Sequence, residues 1–260
     1  MPLTDRITFV VTVLDRKVLA NNMLASQAFR QAHNHQIIVQ EGFASAAKAY
    51  NDGLRRAENE LVVFLHSDVY LPETWLSQLE CALEHLDRSD PNWGVLGCWG
   101  ATRDGQYRGH VYSTGWGILG TAFERPAPVQ TLDEVLLIFR KSSGLQFDDN
   151  LPHFHFYGTD ICLRAAQRDM TSYAIRAFCI HNTNQILRLP KEFYSCYSYV
   201  RRTWKDSLPI QTSCIRVSKY NVEASCRRLK EYCGRILGRD AWAHDRVTDP
   251  SRILETTEAI

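Results

Sequence analysis

No Cys-x-x-Cys pair occurs in the chain. Its eight cysteines stand at least seven residues apart, which excludes a thioredoxin-type redox pair and the common structural zinc sites. Eight cysteines in 260 residues are also too sparse for a disulfide scaffold, and buried thiols in a reducing compartment are expected. An excess of one charge is missing too: 30 Lys and Arg meet 29 Asp and Glu. A nucleic-acid partner, which usually leaves a strongly basic footprint, is therefore not expected. No apolar run reaches the length of a membrane span. The run from Ile7 to Leu14 is closed at once by Asp15 and Arg16, and no small-residue cleavage pattern follows, so a cytoplasmic location is expected. No Gly-rich phosphate loop follows that run and no His-x-x-x-His occurs, which counts against P-loop enzymes and zinc enzymes with dense ligand motifs. Repeats and low-complexity linkers are absent as well.

What remains is the composition of an ordinary globular protein, 45% apolar and 23% charged, arranged in a regular alternation. The segments 7–14, 36–40 and 61–65 are short β-branched or aliphatic runs. Helical spacing separates them over 19–32 and 45–57, so the fold class is α/β with a central, mostly parallel sheet. Further strands are expected at 94–98, 131–141 and 173–180, and helices at 73–86 and 158–168. Gly-rich loops and hairpins are expected over 101–120. In such a sheet, ligands collect beyond the carboxyl ends of the strands. From Pro190 onward the pattern is helical, so residues 1–189 form the α/β domain and 190–260 a C-terminal helical extension. Phe193, Tyr197, Val200 and Trp204 form one apolar stripe, and Val222, Cys226, Leu229, Cys233 and Ile236 another. Both are expected to pack on the core or on a partner subunit. Eight Lys and Arg against four Asp and Glu between Arg216 and Arg246 also fit peripheral contact with an anionic membrane.

Three segments carry groups suited to chemistry. The apolar strand Leu61–Leu65 runs directly into His66, Ser67 and Asp68. In an extended segment, residues two apart project to the same side, so His66 and Asp68 can approach one cation. Carboxylate and imidazole together suit Mn²⁺ or Zn²⁺ better than Ca²⁺, although Asp68 equally suits the cap of a following turn. In the second segment, Asp160 follows Gly158 and Thr159 in a first helical turn, where the dipole keeps a carboxylate ionised. Just before it, His153 and His155 alternate with Phe154 and Phe156. The third is an apolar strand ending at His181. Trp116, between Gly115 and Gly117, is either a sugar-stacking platform or a packed loop residue.

The order strand, helix, strand, Ala/Gly-rich helix with Asn51, then LVVFLHSDVYLP resembles the nucleotide-sugar-dependent glycosyltransferases of the GT-A fold, family-two-like. The later stretch LDEVLLIFRKSSGLQFDDNLPHFHFYGTDICLRA is similar to that family's acceptor half. The resemblance covers about residues 5–185 and is strongest to a sub-branch typified by a streptomycin-biosynthesis glycosyltransferase-like domain. It implies a GT-A-like fold and transfer of a sugar from a nucleoside-diphosphate sugar to a saccharide or glycoconjugate hydroxyl. It also implies a divalent cation, Mn²⁺ or Mg²⁺. By this resemblance Val13, Asp15, Glu41, Asn51, Ser67 and Asp68 line the donor site, and Asp68, His66 and His181 bind the metal. Asp160 would be the general base by the same resemblance, while Trp116 and His155 are expected, from their own residue types and setting, to face the acceptor. His66 stands where the family has the first Asp of Asp-x-Asp, and Thr159 where Glu often precedes the base. A non-catalytic saccharide- or partner-binding relative, and a zinc hydrolase built on His66, Asp68 and His181, are the alternative readings.

Overall fold

The computed structural model describes residues 3–30, 34–184, 188–238 and 244–257, with side chains to residue 254. Along the chain run β1 (Ile7–Thr12), α1 (Arg16–Asn21), β2 (Gln36–Gln40), α2 (Ala46–Arg56), β3 (Leu61–His66), β4 (Val69–Tyr70) and α3 (Trp75–Ser89). There follow β5 (Leu96–Gly97), β6 (Trp99–Ala101), β7 (Tyr107–Ser113), β8 (Gly117–Gly120), β9 (Ala127–Val129), β10 (Thr131–Leu132) and β11 (Leu136–Arg140). The last elements are α4 (Tyr157–Ala166), β12 (Ser172–Ala174), β13 (Cys179–His181), α5 (Lys191–Thr203), α6 (Val222–Ile236) and α7 (Ser251–Thr257).

One sheet has the order β2-β1-β3-β11-β5-β12-β9. β1 pairs parallel with β2 and β3, β11 lies antiparallel between β3 and β5, and β12 is parallel to β5. The α/β class is what the alternation of strands and helices predicts, but the sheet is mixed rather than mostly parallel: three of its six pairings are parallel and three antiparallel. β3 is central because all five residues Leu61–Leu65 are apolar and at most 1% exposed, which requires cover on both faces. Helix α2 supplies part of that cover, starting at Ser45, whose hydroxyl accepts from the Lys48 N–H at 3.4 Å. It approaches β1 so closely that a Cβ on Gly53 would lie 2.3 Å from Val10 Cγ1. Trp75, Leu76, Leu79, Ala82, Leu83 and Leu86 line the buried face of α3 at helical spacing.

The second sheet, β10-β6-β7-β13-β4 with β8 paired to β7, corrects the expected strand over 173–180. Ser172–Ala174 joins the first sheet as β12, whereas Cys179–His181 joins the second as β13. The chain breaks between them, and β13 pairs antiparallel with β4, matching His181 to Val69. His181 thereby reaches the end of β3 from a different sheet. The expected helix over 19–32 is also shorter: α1 ends at Asn21, a single 3-10 turn covers Gln27–Phe29, and residues 31–33 lie outside the described residues.

In the C-terminal region, Phe193, Tyr197, Val200 and Trp204 are all buried in the main core. The stripe on α6 is not. Val222, Leu229 and Ile236 are exposed, as are Cys226 and Cys233, so the expectation that this stripe packs on the core is corrected.

Candidate functional site

The carboxyl ends of β1, β2 and β3 lie side by side, with Thr12 in register with both Gln40 and His66. Immediately beyond them stand Val13, Asp15, Glu41, Ser67 and Asp68. His66 Nδ1 is 3.5 Å from His181 Nε2, and His181 Nε2 is 3.4 Å from Asp68 Oδ1. One ligand atom from each of His66, Asp68 and His181 lies within 4.8 Å of the others. Two imidazoles and a carboxylate converging on one point form a set that suits a transition metal or Mn²⁺.

The surroundings fix the protonation pattern of that set. Tyr157 Oη donates to the Glu134 carbonyl at 2.9 Å and lies 2.8 Å from His66 Nε2. Its only hydrogen is spent on that carbonyl, so Tyr157 must accept from His66, which places the His66 proton on Nε2. Nδ1, turned toward His181 and Asp68, then keeps its lone pair for a cation. Burial pushes His66 below the ordinary imidazole range, against the pull of Asp68. Burial also acts to raise the Asp68 carboxyl, but the charge and hydrogen bond of His181 and the hydrogen bond from Arg246 hold it well below the usual carboxylate range. His181 moves up: burial lowers it, and the Asp68 charge and hydrogen bond more than offset that.

Sequence reasoning missed the fourth charged group. Arg246 Nη2 lies 3.0 Å from Asp68 Oδ2, delivered by a C-terminal segment that crosses the end of the sheet. Asn182, fully buried, clamps that segment at both backbone atoms of one residue: it accepts from Val247 N–H at 2.8 Å and donates to Val247 O at 2.7 Å. Arg246 N–H donates to Asn184 Oδ1 at 3.1 Å. The guanidinium Nε is buried without a hydrogen-bond partner. Nothing in the residue pattern around position 246 marked it, because the contact joins residues 178 apart.

Asp160, the expected base, lies in the first turn of α4. Asp160 is 1% exposed, and its oxygens accept from Arg164 Nε at 2.6 Å and Trp204 Nε1 at 2.8 Å. Burial raises its pKa, with Arg164 and Trp204 opposing. Both oxygens thus take part in tying α4 to the end of α5. A second carboxylate lies at the amino end of α4. Glu134 accepts from the backbone N–H groups of Phe156 and Gly158, while burial, assisted by the Asp133 charge, raises its pKa well above the ordinary range. Glycine is needed beside it: a Cβ on Gly158 would lie 2.7 Å from Leu132 O and 3.2 Å from Glu134 Cγ.

The other expected residues divide. Asp15 caps α1, accepting from Lys17 N–H at 2.8 Å. Glu41 forms a two-pronged ion pair with Arg16 at 2.9 and 2.8 Å on the surface. Asn51 lies on the buried face of α2. Its side chain donates to Phe147 O and Asp149 Oδ1 and accepts from Phe147 N–H, so it pins the 147–149 loop. His153 and His155 do not share a strand face, because His153 and Phe156 have left-handed backbones with φ of 56° and 65°. His155 packs against Phe193 with ring centroids 5.4 Å apart, and burial lowers its pKa to about 4. Trp116, at the β7–β8 turn, is 66% exposed rather than packed.

A curated protein from Fuscovulum blasticum, described as ATP synthase subunits region ORF 6, is 30% identical over 134 residues, 47% of this chain and 51% of its own length. The chain thus spans about half the length of that relative. Among solved structures, residues 1–349 of S. aureus TarS superpose with a TM-score of 0.46 at 15% identity, covering 76% of this chain and 64% of that one. The same protein in complex with UDP-GlcNAc gives 0.41 at 14% identity, over 67% and 55%. A197 from STIV gives 0.40 at 12% identity, over 65% and 83%. A family model described as a glycosyltransferase-like family matches residues 8–197, from β1 into α5 and through all three residues of the His-Asp-His cluster. On that match, over most of its length, the chain belongs to the glycosyltransferase-like family.

Proposed function

We propose that the protein transfers a sugar from a nucleoside-diphosphate sugar to a hydroxyl of a saccharide or glycoconjugate acceptor. One observation carries this reading: in a member of this family, His66, Asp68 and His181 bring their ligand atoms within 4.8 Å of one another at the edge where α/β sheets bind ligands. Of the two expected cations, those three side chains fit Mn²⁺ better than the oxygen-preferring Mg²⁺; a bound divalent cation would neutralise the departing diphosphate. His66 presents Nδ1 because Tyr157 holds its other nitrogen. Val13, Asp15, Glu41 and Ser67 border the donor side of the same edge. Arg246, with an unpartnered Nε beside Asp68, supplies a fixed positive charge to the same diphosphate. On the acceptor side, Trp116 offers an exposed ring on which a sugar face can stack, and His155 borders the His66 side.

The acceptor hydroxyl needs a group to take its proton as it attacks the anomeric carbon. Glu134 is the carboxylate suited to that role. Its carboxylate sits at the amino end of α4, and its own carbonyl is joined through Tyr157 to His66. A raised pKa brings a carboxylate nearer to a working base at neutral pH. Attack from that side, opposite the diphosphate, is an in-line displacement with inversion.

A panel of nucleoside-diphosphate sugars, assayed for donor hydrolysis and transfer with and without Mn²⁺, tests the proposal. Cation-dependent turnover or binding of one donor is the expected result. Absence of nucleotide affinity with every donor sinks it: tight Zn²⁺ binding would then indicate a hydrolase, and saccharide binding alone a non-catalytic relative.

A further inference from the structure

We infer that α6 is a membrane-surface helix that seats the protein on anionic phospholipid. The helix rests on the rest of the chain through one narrow face. Ala224 and Gly234 are buried there. Glu231 pairs with Arg227 at 3.3 Å and accepts from Leu189 N–H at 3.1 Å and Tyr194 Oη at 2.7 Å. On the opposite face Val222, Leu229, Tyr232, Ile236 and Leu237 are each between 59% and 68% exposed. Cys226 and Cys233 lie among them and are exposed too. At about 100° per residue these positions fall within one sector roughly opposite Glu231. An apolar stripe of this length pointing away from its own core requires another apolar medium.

The borders of the stripe name the medium. Lys230 flanks it on one side, Arg228 and Arg235 on the other, positions from which long basic side chains reach a headgroup layer while their stems cover apolar surface. Glu223 is the only acid of α6 outside the docking face. A second copy is a poor match, since a two-fold pair sets the same surface against itself and would oppose basic borders with basic borders. Beside the Arg228 border, a cavity of about 500 Å³ between α5 and α6 is lined by Lys191, Arg202, Arg228, Tyr194 and Tyr199 among others, adding cations where headgroup phosphates would lie. No helix among the described residues is long and apolar enough to cross a membrane, so the helix lies in the interface. None of this depends on donor binding, and it stands or falls separately.

Flotation of the full chain with vesicles of phosphatidylcholine, with and without phosphatidylglycerol, is the test. Binding to the anionic vesicles alone, weakened by salt, is expected. Leu229→Glu with Ile236→Glu should abolish it while leaving the melting temperature unchanged, because both side chains are exposed. Arg228→Gln, Lys230→Gln and Arg235→Gln together should weaken it on the order of a hundredfold, at about fivefold per basic residue near the surface. Absence of binding to either vesicle overturns the inference. So does equal binding to both that the triple substitution leaves unchanged, or a soluble dimer without vesicle binding that Leu229→Glu dissociates.

Discussion

The chemistry of the site turns on a single proton. His66 can offer Nδ1 to a cation only while Nε2 carries its hydrogen, and the hydroxyl of Tyr157 enforces that state by spending its own hydrogen on Glu134 O. Tyr157→Phe removes the enforcement without removing a ligand, and should weaken Mn²⁺ binding by about 10- to 100-fold while lowering stability by about 1–3 kcal/mol, because the Glu134 carbonyl loses its partner. Titration calorimetry with Mn²⁺ checks this, and unchanged affinity would show that the tautomer is set elsewhere. A pair of substitutions separates the two acidic candidates on the acceptor side. Glu134→Gln should lower turnover by about 10²–10⁴-fold with donor affinity unchanged. Asp160→Asn should lower stability by about 1–3 kcal/mol through the weakened Arg164 contact and change turnover far less. The reverse pattern would restore Asp160 as the base. His66, Asp68 and His181 were legible in the sequence because each polar residue directly ends or follows an apolar strand, so its direction and depth follow from the strand itself. Glu134, Tyr157 and Arg246 were not. Their roles depend on which loop returns to which strand, and no local pattern encodes that.

At the level of elements, the short C-terminal segment before α7 has the largest effect for its size. Asn182 follows β13 directly and holds Val247 at two points, while Ile253 packs with Tyr70 of β4 and Ile180 of β13. The segment is thereby fixed against the same two strands that carry Asp68 and His181. Arg246 brings a positive charge to 3.0 Å from Asp68, where it competes with any cation for that carboxylate. Arg246→Gln should therefore tighten Mn²⁺ binding by about tenfold, a charge effect reduced by partial solvent exposure, while weakening donor binding in the absence of metal. Opposite signs for metal and metal-free donor are the diagnostic result, and parallel losses in both would point to a collapsed segment instead. Helical periodicity placed α5 and α6 correctly as elements. It could not tell which stripe faces the core, since Phe193–Trp204 and Val222–Ile236 have nearly the same spacing. The difference lies in what each meets: α5 covers Phe156 and the start of α4, whereas α6 is held on its polar side by Glu231.

For the molecule as a whole, the α/β plan was legible because strands β1 and β3 are buried, largely apolar runs and helical segments separate the first three strands. The second sheet was not, because all its strands but β7 are four residues or fewer and its members β4, β6, β7, β8, β10 and β13 are widely spaced along the chain. The packing of the first layer has little slack. Gly53→Ala would place a methyl 2.3 Å from Val10 Cγ1, and a loss of about 1–3 kcal/mol from overpacking is expected, measurable as a shift of the denaturation midpoint.

The positions of His66 and Arg246 have a consequence for how the protein is made. A chain emerging from the ribosome folds its amino-terminal parts first, at about 5–20 residues per second. The early strands and α2 can therefore be in place while the last basic group of the site is still being synthesised. During those seconds Asp68 stands without its guanidinium neighbour and is open to whatever cation is at hand. An ion entering the cluster then would meet a different electrostatic setting from the one the finished protein presents. Metal supplied during synthesis and metal added to the purified protein should accordingly load the site to different extents.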